Sequence, residues 1–447
     1  MIGKEMCQDI LDKALRVSNA LDADFYLSSQ EQGLTRFAGN SIHQNVSHSD
    51  AQLHIRAVSG RRLGRAVSND LSDAGIAKAV GQAEHNASLM PEDPDFQGIP
   101  DPADQAAPTN NTDSHDPPTA SYSPEERAQA VGIVCSKAAS SGLKAYGACR
   151  TGTQEIAVAS TRGAKNYHVA TFAGLLTTVM SDSSSGWSKG GSWRIADLNP
   201  QALAEEATDK ALRGENPHDI EPGEYAVVLD HYAVDDILGA LSLYGMGAQA
   251  VQERRSWMNG LEREGAMSPS VSIWDDGQDP SGWPVPFDAE GVPRQKAAIV
   301  LDGVIGGPVH NSYTAGKEGR TSTGHQVNFT GAPYATNLFM KPGDQTVDEL
   351  IASTKRGLYI TRFHYTRLSH NKGCVMTGMT RDGTFLIEDG RISHPVKNLR
   401  FTQSYVEALA GVEGISRNTK LILSEVGFAT RVPALKLASF NFTGVTV

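Results

Sequence analysis

The sequence predicts an α+β fold in which an N-terminal part, an antiparallel sheet with helices, is followed by a β-rich C-terminal part with one central helix. Three patterns support this prediction. Residues 24–69 alternate apolar and polar side chains between turn residues, which is typical of antiparallel strands. Residues 234–251 place apolar side chains every three or four positions, which indicates a helix packed against a core. Asp-Gly pairs at 382–383 and 389–390 predict tight turns between antiparallel strands.

Length, charge and cysteine content restrict the class of protein. A chain of 447 residues is long enough for two or three domains. Its 51 acidic and 40 basic side chains give a net charge of −11, which disfavours binding to nucleic acid or to an anionic membrane. Four cysteines without a C-x-x-C pair fit a reducing compartment. Because the chain also lacks a signal-peptide core and an apolar run of membrane-spanning length, we expect a cytoplasmic protein.

The N-terminal domain is predicted to comprise residues 1–218. An amphipathic helix at residues 6–21 precedes the alternating strands, and a helix at residues 71–90 follows them. Residues 145–180 supply further long strands, with a helix predicted before and after them. The first of these two helices begins after Ser123, where a serine followed by a proline and two glutamates is typical of a helix start.

Residues 91–123 are rich in proline, aspartate, asparagine, threonine and serine. Such a stretch buries too little apolar surface to offset the entropy that is lost on ordering. We therefore expect an extended, partly mobile excursion from the N-terminal domain. A surface insertion is the favoured interpretation of this segment, and a functional lid is the alternative.

The C-terminal domain, residues 219–447, is predicted to begin with a buried strand at residues 225–229 that leads into the central helix. Asp235 and Asp236 in the first turn of that helix suit the positive end of its dipole. A Gly-Met-Gly sequence at residues 245–247 resembles part of a dinucleotide-binding fingerprint. It lies within the helix rather than at a strand-to-helix turn, so we discard nucleotide binding as its role.

A hydrolytic zinc site on the central helix would need two histidines on one helical face, with a glutamate beside the first. None of the 13 histidines is followed by glutamate, and no two of them are three or four residues apart. His231 and Asp235 could in principle hold a metal from one face, but local hydrogen bonding is the favoured role for such a pair. We therefore expect no catalytic residue of this type and no metal ligand in this chain.

Several blocks in the second half of the sequence resemble the TldD/PmbA family of peptidase-associated proteins. The longest block, Thr-Gly-Met-Thr-Arg-Asp-Gly-Thr-Phe-Leu-Ile-Glu-Asp-Gly, occupies residues 377–390. Shorter blocks carry the same resemblance at residues 274–277, 286–291, 321–325, 361–365 and 395–402. The order of predicted elements in the N-terminal domain is compatible with the first domain of that family.

The resemblance implies a role in proteolysis. In that family, pairs of related subunits form a cytoplasmic zinc protease that degrades or trims short unfolded peptides. The catalytic subunit carries H-E-x-x-x-H on the helix that matches residues 231–250, and a cysteine near its C-terminus. This chain has Val-Asp-Asp-Ile-Leu-Gly-Ala-Leu at residues 234–241 and no cysteine after Cys374. The resemblance therefore implies a non-catalytic, TldE-like subunit that pairs with a TldD-like catalytic subunit holding the zinc, or with a second copy of itself.

Under this hypothesis, five residues are candidates for the wall of a peptide-binding chamber: Asn311, His325, Arg362, His364 and Tyr365. An extended peptide added to a sheet edge would be bound there with little sequence selectivity. Two other hypotheses remain open. The chain could be a stand-alone peptidase that uses His231 and Asp235 with a distant histidine, or a binding or regulatory protein without a proteolytic role.

Overall fold

Two β-sheets, one in each half of the chain, organise the structure, a computed structural model that describes residues 1–104, 114–261, 265–328, 331–424 and 427–445. Over these residues, six strands form the first sheet and eleven form the second. Helices accompany both sheets, so the predicted α+β class is confirmed. No helix within the described ranges is long and apolar enough to cross a membrane.

The first sheet contains long strands from the N-terminal half: β1 (Asp22–Ala38), β2 (Ser41–Ser59), β3 (Arg62–Ser68), β4 (Lys144–Ser160), β5 (Lys165–Met180) and β6 (Ser185–Ser192). They are antiparallel neighbours in the order β3-β2-β1-β4-β5-β6. The buried side chains of Phe25 and Leu27 on β1 pair with Ile55 and Leu53 on β2. This register confirms the predicted meander, because a slip of one residue would turn the apolar side chains to the other face.

The helices of this half are α1 (Lys4–Val17), α2 (Asp73–Leu89), α3 (Pro117–Ala120), α4 (Pro124–Ser140) and α5 (Pro200–Arg213). α1 and α2 share one core cluster with the strands, and α4 and α5 share another. Ser123 caps α4 as predicted: its hydroxyl accepts from the Glu126 N–H, and the Glu126 carboxylate accepts from the Ser123 N–H. Both ends of this reciprocal cap satisfy backbone donors that the helix itself leaves unpaired.

The proline-rich stretch is anchored at both of its described ends. Phe96 and Ile99 are each 4% exposed and pack with Val58 of the first sheet. Ser114 is fully buried and forms a backbone bridge with Ala170. These contacts attach both described ends of the stretch to the first sheet, and Phe96 and Ile99 supply apolar anchors that the composition of the stretch does not reveal. The middle of the predicted excursion, residues 105–113, lies outside the described residues.

The second sheet contains strands from the C-terminal half: β7 (Gly223–Leu229), β8 (Ile273–Asp275), β9 (Ala297–Leu301), β10 (Val304–Ile305), β11 (Asn337–Met340), β12 (Arg356–His370), β13 (Val375–Glu388), β14 (Arg391–Pro395), β15 (Leu399–Ser404), β16 (Val412–Leu423) and β17 (Ala429–Val445). β7, β12, β13, β15 and β17 pair in a closed ring, because β17 pairs with both β15 and β7. Rings from three of these strands meet in the core, where Phe363 lies 4.6 Å from Phe401 and 5.3 Å from Phe440.

Of the two predicted Asp-Gly turns, only one is a turn. Asp389 and Gly390 join β13 to β14 with φ of 47° and 75°, as the sequence predicts. Asp382 and Gly383 lie inside β13, so the predicted turn there is wrong. Their φ values of 57° and 134° are absorbed by an irregularity in the pairing of β13 with β12 near Arg362. A left-handed pair in a strand is typical of a β-bulge rather than of a hairpin.

The helices of the C-terminal half are α6 (His231–Leu241), α7 (Ala248–Gln252), α8 (Ser312–Lys317), α9 (Val347–Ala352) and α10 (Tyr405–Ala410). The predicted central helix is interrupted: α6 ends in a π-helical turn, Ser242–Met246, before α7 begins. A Cβ on Gly245 would lie 2.1 Å from the Trp257 ring, and one on Gly247 would lie 2.0 Å from the Pro333 carbonyl oxygen. The two glycines therefore serve close packing of distant segments, which the periodicity could not reveal.

Candidate functional site

The N-terminal turn of α6 lies where the two sheets meet. Its Tyr232 hydroxyl donates to the Lys189 carbonyl of β6 at 3.1 Å and accepts from the Lys189 N–H at 2.9 Å. The Tyr232 ring also lies 4.6 Å from the Trp187 ring in an edge-to-face arrangement. The central helix of the second half is thus fixed against the last strand of the first sheet.

Asp230, the N-cap of α6, is the centre of a buried charged cluster. Its carboxylate accepts from the His231 N–H at 2.8 Å, the Tyr359 hydroxyl at 3.0 Å and the Lys210 ammonium group of α5 at 3.3 Å. Burial opposes ionisation of Asp230, but Lys210 and the hydrogen bond from His231 outweigh it and hold its pKa well below the usual range. Asp230 is therefore an anion near neutral pH.

The cluster continues as a chain of alternating charges. Lys210 also donates to Glu206 at 2.7 Å, and Glu206 accepts from Lys420 of β16 at 2.8 Å. Burial alone would raise the pKa of Glu206, but the charges of Lys210 and Lys420 outweigh this effect and lower it. We call Asp230, Lys210, Glu206 and Lys420 the ion chain. It joins α5 of the first half to α6 and β16 of the second half and holds the two sheets in one relative orientation.

A cavity of ≈ 490 Å³ opens beside the ion chain, within the size range of ligand sites. Edge strands of both sheets contribute to its wall. β6 is the last strand of the first sheet, and β16 joins the second sheet through β17. Four basic side chains and two acidic ones line it: Lys189, Arg194, Lys420, Arg431, Asp197 and Glu206. Strand edges and a basic surplus suit an extended chain that offers backbone carbonyl groups and carboxylates.

Arg362, one of the predicted peptide-binding residues, lies next to this region on β12. Its guanidinium group pairs with Asp382, which also accepts a hydrogen bond from Ser185 of β6. The same group lies 4.4 Å from the centre of the Trp187 ring. Burial lowers the pKa of Arg362, although Asp382 acts in the opposite direction. Arg362 and Asp382 thus form an ion pair within the second sheet that contacts the first sheet through Trp187 and Ser185 of β6.

His364 and Tyr365 follow Arg362 on β12, where the strand leads away from the junction of the two sheets. Tyr365 is 64% exposed and has a φ of 53°, at an irregularity where β12 pairs with β13. Its ring lies 4.8 Å from the His364 ring, edge to face. Burial and the neighbouring Arg362 lower the pKa of His364. Neither side chain lines the ≈ 490 Å³ cavity.

Asn311 and His325, the other two predicted residues, belong to a separate buried network. Asn311 caps α8 by accepting from the Thr314 N–H, and its amide donates to Gln326. His325 is fully buried between the Asp275 carboxylate and the Thr323 hydroxyl, each at 2.9 Å. The five predicted residues therefore do not converge: three lie along β12 and two lie in this network.

Asp235 and Asp236 lie in the second turn of α6, because the helix begins at His231. This corrects the prediction that they occupy the first turn. Asp235 accepts from the Thr430 hydroxyl, and Asp236 accepts from the Thr366 and Tyr405 hydroxyls at 2.7 Å each. Burial raises the pKa of both carboxyl groups, that of Asp235 to about 6. They act as hydrogen-bond acceptors that attach α6 to its surroundings.

His231 hydrogen-bonds to its neighbour Asp230 and to Asn418, which is 187 residues away in sequence. Its Nδ1 lies 2.7 Å from the Asp230 carboxylate and its Nε2 lies 3.1 Å from the Asn418 carbonyl oxygen. Asp235, four residues later, is bonded to Thr430 instead. Across the described ranges, no three His, Cys, Asp or Glu side chains are grouped so that they could hold a metal ion.

The ion chain and the cavity were missed by the sequence interpretation. Glu206 and Lys210 are four residues apart on a predicted helix, which indicates an ion pair but not a buried one. The partners Asp230 and Lys420 come from other elements far along the chain. Only the fold brings these four side chains together.

A six-stranded antiparallel sheet attached by ion pairs to a partly closed mixed sheet, with a cavity beside these pairs, defines a two-sheet α+β protein with a cleft lined by both sheets. Three family models match this chain in order: PmbA/TldA metallopeptidase domain 1 over residues 23–87, the central domain over residues 117–215 and the C-terminal domain over residues 222–444. The chain belongs to the PmbA/TldD metallopeptidase family. The strands of the first two matched regions lie in one sheet, which the sequence interpretation treated as one domain.

Known proteins are similar to the chain over most of its length. It is 23% identical to a metalloprotease TldD homolog of Haemophilus influenzae, with 94% of this chain and 92% of the relative covered. In structure it is similar to a candidate DNA gyrase modulator of Thermotoga maritima, with a TM-score of 0.87 and 18% identity, covering 98% of this chain and all of the other. TldE of Thermococcus kodakarensis gives a TM-score of 0.84 at 16% identity, covering 98% and 99%. These structural likenesses establish the fold.

Proposed function

We propose that this chain is the TldE-like, non-catalytic subunit of a zinc metallopeptidase that degrades or trims short unfolded peptides. Its relatives include a metalloprotease TldD homolog, and its fold is shared with a TldE protein. In this proposal, a TldD-like partner subunit supplies the zinc and the hydrolytic step. This chain supplies part of the wall that binds the peptide.

The cavity between the two edge strands is the observation that carries this proposal. β6 and β16 both contribute edge-strand residues to the wall of the ≈ 490 Å³ space, and a peptide in extended conformation binds strand edges through its backbone. Binding through the backbone accepts many sequences, as a peptidase for unfolded peptides requires. The ion chain fixes the distance between the edges, so the cleft is preformed.

The surface of α6 supports the division of roles. In the catalytic subunit of such an enzyme the corresponding helix is expected to carry the zinc ligands. Here its second turn carries Asp235 and Asp236, whose carboxylates already accept hydrogen bonds from threonine and tyrosine hydroxyls. Those bonds attach the helix to β12, β17 and α10.

A cytoplasmic location is part of the proposal. Cys7, Cys135, Cys149 and Cys374 are all buried, unpaired thiols. Free thiols in a chain of this length fit a reducing compartment. Burial raises the pKa of the Cys149 thiol to about 12, so it is a packing group rather than a nucleophile.

The proposal is tested by measuring zinc content and peptidase activity of the purified chain, alone and mixed with a TldD-like protein from the same organism. We expect substoichiometric zinc and no hydrolysis by the chain alone, and hydrolysis of a labelled unfolded peptide by the mixture. Stoichiometric zinc together with hydrolysis by the chain alone would contradict the proposal and favour a stand-alone peptidase. A chain that binds neither a TldD-like protein nor peptide would be a regulatory protein instead.

A pair of variants on α5 tests the cleft itself. Ala202 lines the cavity, whereas the neighbouring Gln201 is exposed outside it. Ala202→Trp should fill the cavity and weaken binding of a fluorescent unfolded peptide at least tenfold, while Gln201→Trp should leave the affinity unchanged. Equal affinities of the two variants would place peptide binding elsewhere.

A further inference from the structure

A second cavity, of ≈ 200 Å³, lies between the two sheets away from the ion chain. The first sheet contributes strand residues and the second half contributes a loop with one strongly basic side chain. The wall includes Tyr26, Gln154, Ile156, His168, Trp283, Phe287, Asp288 and Arg294. Neither the proposed function nor the predicted site uses this cavity.

Arg294 is the unusual member of the wall. It is 8% exposed, and its Nη1 donates to the Thr336 hydroxyl, but its buried Nε has no hydrogen-bond acceptor among the described residues. The side chain is held in place by the fold, because a Cβ on Gly277 would lie 2.2 Å from the Arg294 Cδ. A buried, charged donor without an acceptor is costly unless a ligand supplies the acceptor.

The nearest carboxylate in the wall is already occupied. Asp288 accepts from the backbone N–H groups of Glu290 and Val292 through one oxygen, at 2.9 and 3.0 Å. Its other oxygen accepts from the Gln326 N–H at 2.9 Å. These backbone donors, and not Arg294, satisfy Asp288. The guanidinium group of Arg294, a residue of the cavity wall, can therefore donate to an anion that enters the cavity.

Besides polar side chains such as those of Gln154, His168 and Gln326, the wall offers an apolar surface of limited size. Ile156, Ala170, Val285, Phe287 and the Trp283 ring face the space around Arg294. An apolar cavity of about 150 Å³ accepts benzene. The ≈ 200 Å³ here therefore holds a side chain as large as that of phenylalanine together with a carboxylate.

The cavity continues into a neighbouring one of ≈ 220 Å³, and the two share Gln154, Trp283 and Gly427. The neighbouring cavity is lined by Gln30, Arg150, Phe172, Leu423 and Ser424 as well. Gln154 is partly exposed and Gly427 is exposed, which places the opening where the two cavities meet. A ligand seated at Arg294 can therefore extend past Trp283.

We propose that the ≈ 200 Å³ cavity binds the C-terminal residue of a peptide. Its α-carboxylate accepts from the Arg294 guanidinium group, its apolar side chain packs on Phe287 and Trp283, and the preceding residues lie in the neighbouring cavity. A small free carboxylic acid also has a carboxylate beside an apolar group. The test therefore distinguishes a peptide C-terminus from such a free acid. This proposal does not depend on the zinc-free role proposed above.

Isothermal titration calorimetry of the full chain with three probes tests the ligand. N-acetyl-alanyl-phenylalanine should bind at least tenfold more tightly than its C-terminal amide, which lacks the charged acceptor. It should also bind at least tenfold more tightly than benzoate, which has the ring and the carboxylate but no preceding residue. Equal binding of acid and amide would overturn the role of Arg294, and equal binding of benzoate and peptide would overturn the peptide assignment in favour of a free acid.

Variants locate the binding. Arg294→Met should abolish measurable binding of the peptide acid, and Gln154→Trp should weaken it at least tenfold by closing the opening while Arg294 stays in place. Arg127→Met is the matched control, since Arg127 is 4% exposed but lies outside both cavities, and it should bind like the unmodified chain. If Arg294→Met does not fold, Gln154→Trp decides the question. Normal binding by a folded Arg294→Met, or by Gln154→Trp, would overturn the proposal.

Discussion

The Lys210 ammonium group of α5 lies 3.3 Å from the carboxylate of Asp230, the cap of α6, and both side chains are only 9% exposed. Removing one partner of a buried pair leaves the other charge uncompensated, which costs about 3 to 5 kcal/mol. We expect Lys210→Met to lower the free energy of unfolding by about 3 kcal/mol in urea titrations. Asp230→Asn removes the charge that Lys210→Met leaves uncompensated. The double variant should therefore lose less free energy of unfolding than the two single variants lose in sum.

An exposed pair on the same helix provides the control for Lys210. Arg213 and Asp209 are 3.1 Å apart, with side chains 46% and 60% exposed. Pairs in such positions contribute little, so Arg213→Met should change the free energy of unfolding by about 0.5 kcal/mol or less. Similar effects of Lys210→Met and Arg213→Met would show that the ion chain does not stabilise the interface.

Asp235 should make stability depend on pH. Burial raises its pKa from 3.8 to about 6, so the folded state binds a proton more tightly than the unfolded state does. Its contribution to stability is therefore fully present below about pH 4 and is lost as the pH rises through 6. Asp235→Asn removes this loss. The free energy of unfolding of the variant, minus that of the unmodified chain, should therefore rise by about 1 to 3 kcal/mol between pH 4 and pH 8. A difference in unfolding free energy that is the same at both pH values would contradict the shifted pKa.

Two glycines near the central helix should respond in opposite directions to alanine. A Cβ on Gly247 would lie 2.0 Å from the Pro333 carbonyl oxygen, whereas one on Gly239 has open space around it. Gly247→Ala should lower the free energy of unfolding by about 1 to 3 kcal/mol, because the added methyl group displaces the backbone. Gly239→Ala, on the exposed face of α6, should stabilise by about 0.5 to 1 kcal/mol because alanine favours the helix. Thermal unfolding of both variants measures the difference, and a shift of the same sign in both would refute this account.

Variants of Arg362 and Tyr365, both on β12, distinguish an effect on stability from an effect on peptide binding. Asp382 is 1% exposed in its side chain, so Arg362→Met should destabilise the chain by about 3 kcal/mol even if no peptide contacts it. Tyr365 is 64% exposed, and Tyr365→Ala should leave the free energy of unfolding within about 0.5 kcal/mol of the original value. If the predicted peptide-binding role of Tyr365 is correct, this variant should nevertheless lose peptide affinity in a fluorescence anisotropy titration. Unchanged affinity would remove Tyr365 from the predicted site.

Local signals in the sequence predicted local structure. The alternation of residues 24–69 gave the meander because neighbouring strands pair across short connections, and the Ser123 cap depends on a residue only three positions away. The Asp382-Gly383 prediction failed because the pairing of β13 with β12 continues past these residues. The central helix was predicted too long because Trp257, whose indole N–H donates to the Leu241 carbonyl at 2.8 Å, occupies the space beside its end.

The candidate site was harder to predict because its contacts are long-range. Glu206 and Lys420 are 214 residues apart in sequence, and no periodicity encodes such a pair. His325 is a candidate binding residue by its chemistry, yet its ring is enclosed by Asp275 and Thr323. Lys210, one of several charged residues of a predicted helix, is buried at the junction of the two sheets.

The closed ring of strands sets an order for folding during synthesis. β7 begins at Gly223, but its antiparallel partner, residues 435–442 of β17, is synthesised long after it. The first sheet has all its strands by residue 192 and can form on the nascent chain, whereas the ring has to wait for its final strand. A ribosome that stalls before β17 emerges would therefore leave both β7 and β15 with an open edge, exposed to association with other unfinished chains.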